Sequence, residues 1–365
     1  MQRQDLRWRI AITAAALLTG ACATSVPTSS HSVSRSPQAH GPSPTLNPAA
    51  TPSPTPSPPL APLTWSTSPS RVFNSGAGQY WVSCNTATFC VAIDDSGNAA
   101  AYSPSGWSSP TAYDPAGNIA PGAGFTYALT CTVSLCLAAD SNGIFATSDG
   151  RSWALSGSLA GGYVQDAALS CYVPTFCLAV EDETQGAGPF SQTFDGSAWS
   201  RPVEVESMPG EDEYVGGGQG DWVSCPSSQT CVALGIGGFA QTWESQGWGP
   251  ALTIDNTGDM KGPGAVSCPS VSFCIAVDGH GDVARYDGSS WSAPQQVDTK
   301  PLNAVSCPTV TFCVAVDDAG GAVVFDGAAW SSPALVSANP LLSVTCPTVN
   351  LCLAIDDQGQ VFTLS

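Results

Sequence analysis

Most of the chemistry this sequence could perform rests with its fifteen cysteines. Fourteen fall into close pairs: Cys84/Cys90, Cys131/Cys136, Cys171/Cys177, Cys225/Cys231, Cys268/Cys274, Cys307/Cys313 and Cys346/Cys352. A zinc site needs such pairs to converge on one ion, usually with histidine among the ligands. Here each pair sits in its own stretch of chain, and the region after the linker holds one histidine, His280. Cysteines that flank a turn face each other across a hairpin, within disulfide reach. Seven local disulfides are therefore expected, each contributing about 1–2 kcal/mol because the closed loop is short. No metal and no cofactor is expected. Cys22 is left without a partner.

Other reactive constellations are weak. His280 lies in Asp278-Gly279-His280-Gly281-Asp282, which reads as a turn, and no nucleophile-elbow motif accompanies it. A clamp for an acidic substrate would need clustered arginines, but after the linker only Arg71, Arg151, Arg201 and Arg285 occur. Gly216 to Gly220 lacks the Lys-Ser/Thr and helix of a phosphate loop. Carboxylates are plentiful enough that paired acids for glycan cleavage stay open as an alternative. The net charge is −19, with 28 acidic and six basic residues from Trp65 onward. A surface for tracking phosphates is thus absent, and no nucleic-acid partner is expected.

The elements that must position these residues come from a repeat. The two most regular cysteine spacings are 39 residues, as in Cys268 to Cys307. After each pair comes an apolar run, usually an Asp, a Gly-containing turn, a second apolar run, then Asp-Gly-x-x-Trp and Ser-x-Pro, as in Asp326-Gly327 to Trp330 and Ser331-Ser332-Pro333. Turn residues separate four short strands per unit. Units of about 40 residues with four strands are the pattern of propeller blades. Gly 37, Pro 30 and 11% charged residues agree with an all-β chain.

The ring closes in the count. The seventh cysteine pair is followed by one strand, Gln360 to Leu364, and lacks a fourth. The missing piece, Trp65-Ser66-Thr67-Ser68-Pro69, precedes the first unit. The expected fold is all-β: a seven-bladed β-propeller with blade 7 closed by an N-terminal strand, spanning 64–365.

Asp-Gly-x-x-Trp resembles the Asp-box turn of sialidase-like propellers, shortened by one residue, where the turn is structural. The repeat Ser-Cys-Pro to Phe-Cys-x-Ala-Val-Asp is similar to those of surface and secreted proteins of high-GC Gram-positive bacteria. At the N-terminus, Arg3, Arg7 and Arg9 precede an apolar run, Ile10 to Leu18, too short to span a membrane. Leu18-Thr19-Gly20-Ala21-Cys22 resembles the lipobox of bacterial lipoproteins, which implies lipidation of Cys22 and a signal peptide over 1–22. Ala21-Cys22-Ala23 also reads as a cleavage site for free secretion. Residues 23–63 are Pro/Ser/Thr-rich and too polar to offset their ordering entropy, so a disordered tether is expected. The resemblance implies anchoring to the outer face of the cytoplasmic membrane; a monomer is expected.

In such a ring the B–C turns and D–A connections share one face. An acidic residue ends strand B in most units, giving Asp95, Asp182, Asp278, Asp318 and Asp357 on that face, where it either caps the turn or builds a cation-attracting rim. The longest insertion, with Glu211, Asp212, Glu213, Tyr214, Asp221 and Trp222, lands there too. Loops on a rigid scaffold commonly carry function. The expectation is a non-enzymatic recognition module that takes an extracellular glycan, peptide or protein on this face. A glycan-active hydrolase or lyase and a structural wall-associated protein are the alternatives.

Overall fold

The computed structural model describes residues 63–365 except 75, 77, 114–125, 160–163, 184–188, 206–221, 236–237, 246 and 255–263. Residues 1–62, on which the expected export signal, Cys22 and most of the expected tether fall, lie outside the described residues. The described residues contain no helix, hence none long and apolar enough to cross a membrane.

The strands form seven antiparallel sheets, each ordered A-B-C-D from the axis outward. Blade 1 runs Tyr80–Thr86, Phe89–Asp94 and Asn98–Ser103, with two short outer pieces, Gly106–Trp107 and Thr111–Ala112. The A strands pack against one another around the axis, Leu341–Thr348 of blade 7 meeting Tyr80–Thr86 of blade 1. The ring is therefore closed.

Blade 7 is completed as the repeat count requires. Ser70 pairs with Val361 and Arg71 with Gln360, and Trp65 bridges Leu364. Thr64 N donates to Ser365 O at 3.1 Å and Ser66 N to Thr363 O at 2.7 Å. Tail and head of the described chain thus share one sheet, which leaves no seam for an edge strand to expose.

Strand B is buried on both faces because each blade is sandwiched by two neighbours. This explains its continuous apolar run and the small residue at its middle: Ala92, Ala179, Ala233, Ala276, Ala315 and Ala354 are each 0% exposed. Each core cluster joins neighbouring blades. Val72, Phe73, Leu353, Ile355 and Val361 of blade 7 pack with Tyr80, Val82, Cys90 and Ala92 of blade 1.

All seven disulfides are formed, linking Cys84–Cys90, Cys131–Cys136, Cys171–Cys177, Cys225–Cys231, Cys268–Cys274, Cys307–Cys313 and Cys346–Cys352. Each staples strand A to strand B of its own blade across 4.0–4.1 Å between Cα atoms. The hydroxyl residue just before the first cysteine reaches the next blade. Ser83 Oγ accepts from Cys131 N, Ser170 from Cys225 N, Ser224 from Cys268 N, Ser267 from Cys307 N and Ser306 from Cys346 N, at 2.9–3.0 Å. Thr345 Oγ1 closes the circle on Cys84 N at 3.2 Å. The Ser-Cys dipeptide is thus a two-way fastener, covalent within a blade and hydrogen-bonded between blades.

In most blades strand D is interrupted just after its tryptophan. In blades 3, 5 and 6 Trp199, Trp291 and Trp330 make a single bridge to strand C; pairing resumes at Val203–Glu204, Gln295–Gln296 and Ala334–Leu335. The proline between them has no N–H to give a ladder. The serine after the tryptophan covers the gap: its hydroxyl accepts the strand-C amide that the break leaves open. The pairs are Ala101 N–Ser108, Thr193 N–Ser200, Arg285 N–Ser292, Val324 N–Ser331 and Thr363 N–Ser66, at 3.0–3.1 Å.

Candidate functional site

The face carrying the B–C turns and D–A connections was expected to hold the acidic groups, and the structure divides those groups into two kinds. The first acid at the end of strand B is buried: Asp94, Asp140, Asp278, Asp317 and Asp356 are at most 2% exposed. Its Oδ1 caps the turn. Asp317 Oδ1 accepts from Ala319 N and Gly321 N at 2.7 Å, and Asp356 Oδ1 from Gln358 N at 3.1 Å and Gln360 N at 2.9 Å. Asp278 does the same for His280 N and Asp282 N at 2.9 and 2.8 Å. Asp278 is therefore a turn cap and not a ligand-facing group. The His280 side chain is about half exposed, with Nδ1 4.0 Å from Asp278 Oδ2. In blade 3 a glutamate, Glu181, takes the capping position; it is fully buried and receives Gln192 Nε2 at 2.5 Å. Burial lifts the Asp94 carboxyl above its ordinary value against the pull of its bonds from Asn98 and Ser96.

The second acid of an Asp-Asp pair reaches the surface, where Asp95 Oδ2 also accepts from Gln79 N and Asp357 Oδ1 from Gln358 Nε2, each at 3.1 Å. Asp318 is exposed, and Asp95 and Asp357 are half-buried. Their backbone amides tie down the segment entering strand A: Asp95 N to Gln79 O, Asp318 N to Pro301 O and Asp357 N to Pro340 O, all at 3.0 Å. These three lie on consecutive blades: 6, 7 and 1. The outward acids form an arc over three adjacent blades. Blades 2 and 5 place Ser141 and Gly279 there.

The D–A connections close over their own B–C turns. Gly281 and Gly320 have φ of +82° and +85°, and a Cβ on either would collide with the carbonyls of Asp298 and Ser337 respectively. That close approach carries the next side chain to the neighbouring blade's capping acid. Ser337 Oγ donates to Asp356 Oδ2 at 2.9 Å, aided by Asn339 Nδ2 at 3.2 Å. One blade earlier the serine is replaced by an acid, Asp298. It is 4% exposed and faces Asp317, and burial together with that neighbouring carboxylate raises its pKa.

The opposite face carries the Asp-Gly-x-x-Trp turns. Asp149, Asp195, Asp287 and Asp326 each accept two backbone amides at 2.7–2.9 Å. These bonds hold Asp149 and Asp287 at a pKa of about 2 and lower Asp195 and Asp326 as well. The acid here is structural, as the resemblance implied.

Trp222 does not belong to a surface. It is 2% exposed and packs between blades 3 and 4 with Val205, Val223, Leu234 and Ile254. Its place just before strand A, where a residue turns inward to the next blade, is the physical reason. Glu211, Asp212, Glu213, Tyr214 and Asp221 lie outside the described residues, as does the side chain of Asp182. Among the described residues no three His, Cys, Asp or Glu side chains gather as a metal site would require.

No family model and no curated protein matches the chain. Solved structures do. YCF48 bound to a D1 peptide matches with 12% identity and a TM-score of 0.58 over 82% of this chain and 96% of that one. The WD40 propeller domain of Doa1 matches at 10% and 0.60 over 84% and 97%. Raptor of Chaetomium thermophilum matches at 11% and 0.61, over 80% of this chain and 28% of its own. The fold is a β-propeller. At these identities the likeness extends to the fold alone, so the propeller's function must be read from its own surface.

Proposed function

We propose that the propeller is a non-enzymatic recognition module that binds a peptide or protein segment carrying basic residues across the B–C/D–A face. The observation that carries this reading is the arc of Asp318, Asp357 and Asp95 on three adjacent blades. Three outward carboxylates on a rigid rim attract and orient cationic groups. A propeller of similar fold is known bound to a peptide, which supports the class of ligand and not its sequence. The lipobox-like segment before Cys22 supports placing the module at the outer surface of the cytoplasmic membrane, on a 23–63 tether.

The test is binding of a basic peptide library to the full-length, oxidised protein, read by fluorescence anisotropy at two salt concentrations. Asp95→Asn, Asp318→Asn and Asp357→Asn combined should weaken binding and flatten its salt dependence. Unchanged affinity in that triple variant sinks the proposal.

A further inference from the structure

We propose that blade 4 carries a carbohydrate-binding recess on the outer rim of the propeller, shaped for one pyranose unit. The site is separate from the acidic arc and goes beyond the reading above.

The argument starts from the serine that follows the strand-D tryptophan. In blades 1, 3, 5, 6 and 7 it covers an open strand-C amide. Blade 2 has Ala154 at this position, but there strand D is unbroken over Ala154–Gly157, with a bulge after Leu155, and pairs with strand C from its first residue. Blade 4 has Gly249, and its outer strand is broken: Trp248 pairs with Trp243, and pairing resumes only at Leu252 with Ala240. Gly249 N still donates to Thr242 O at 2.8 Å. Both backbone groups of Thr242 therefore point at the outer strand, as those of Val324 do in blade 6. The Thr242 N–H has no serine hydroxyl before it.

At this place the surface opens into a recess of about 370 Å³, lined by Thr242, Glu244, Gly247, Trp248, Gly249, Pro250 and Leu252. The size suits a small ring. Its chemistry is two-sided. The Trp248 indole, half-buried and pinned through Nε1 to Ser191 Oγ at 2.9 Å, forms an apolar wall with Pro250 and Leu252. The exposed Glu244 carboxylate is an acceptor, and the Thr242 amide is a donor. A pyranose has the matching two sides, an apolar C–H face for the indole and hydroxyls that both donate and accept. An added peptide strand does not fit. It needs a run of free donors and acceptors along an edge, and here strand C is already paired on both sides of the gap.

Gly249→Ser restores the residue that five other blades use. A Cβ at Gly249 would meet only Thr242 O, at 3.4 Å, so the variant can fold, and its serine fills the recess. The experiment is calorimetric titration of the full-length protein with the methyl glycosides of glucose, galactose, mannose and N-acetylglucosamine, each also as a short soluble oligosaccharide. Saturable binding to at least one is expected, weakened roughly tenfold or more in Gly249→Ser and reduced in Glu244→Gln. Thermal unfolding confirms that the first variant is folded. The triple asparagine variant of the acidic arc should bind sugar as the parent does, so the two readings fail separately. No saturable sugar binding overturns the inference, and so does affinity unchanged in Gly249→Ser. Loss of basic-peptide binding in Gly249→Ser also overturns it, since the recess would then be a peptide site.

Discussion

At the scale of single residues, the molecule can be tested against itself, because each blade repeats the same solution with small differences. Ser337 and Asp298 occupy equivalent positions, each facing a capping acid of the next blade. The serine donates a hydrogen bond; the aspartate places a second acid against the first. Burial and Asp317 raise the Asp298 pKa above its ordinary 3.8, so the folded state holds this proton more tightly than the unfolded state. Stability from this group is fully present below the ordinary value and is lost as pH rises through the raised one. Asp298→Ser should therefore stabilise the protein at neutral pH and flatten the decline in melting temperature as pH rises above the ordinary carboxylate value. Melting temperatures of parent and variant across that range check it; an equal decline in both contradicts the assignment. The inter-blade fastener makes a second test. Ser306→Ala leaves the Cys346 amide without its acceptor, at a cost of about 1–3 kcal/mol, whereas Ser306→Thr keeps a hydroxyl, as Thr345 does on Cys84 N. Chemical denaturation of the two variants should separate them; equal stability would show that the bond contributes nothing.

At the scale of the strand and hairpin, the repeat made much of the blade legible. Cysteine spacing located the A–B hairpins, and Asp-Gly-x-x-Trp located the C–D turns, because both features are local and recur. Three aspects were not legible. The Asp ending strand B could be read as a turn cap or as part of an acidic rim, and only packing shows that the first acid of a pair is the buried cap while the second reaches the surface. Trp222 looked like a loop aromatic, but the neighbouring blade that buries it lies far away in sequence. The serine after each tryptophan recurred visibly, yet its purpose depends on a strand-C amide across the break. Its exception at Gly249 could have been found by aligning the repeats against one another. The mid-strand alanines give this scale its prediction. Ala315 is 0% exposed with blades on both sides, so Ala315→Leu should cost about 1–3 kcal/mol through overpacking. Denaturation midpoints read this directly, and a leucine tolerated at no cost would mean that the blades are less tightly stacked than this burial implies.

At the scale of the whole molecule, closure decides whether the blades act as one body. Blade 7 takes its outer strand from Leu63 to Arg71 and the rest from Leu341 to Leu364, so opening any blade strains a ring fastened at both chain ends. Removing the N-terminal contribution tests this. A protein lacking residues 63–71 loses the Trp65–Leu364 bridge, the Ser66 hydroxyl on Thr363 N and the Ser70–Val361 pair together. It also bares the strand Gln360–Leu364 as a free edge, and such an edge recruits other chains. The expected outcome is a lower unfolding midpoint together with concentration-dependent self-association, seen by analytical ultracentrifugation. Point substitution separates closure from mere loss of contacts. Ser66→Ala removes one hydrogen bond and leaves the edge covered, so it should destabilise by about 1 kcal/mol without self-association. If the truncated protein stays monomeric with an unchanged midpoint, the N-terminal strand is a passive cover, and the ring owes its stability to the interfaces between blades alone.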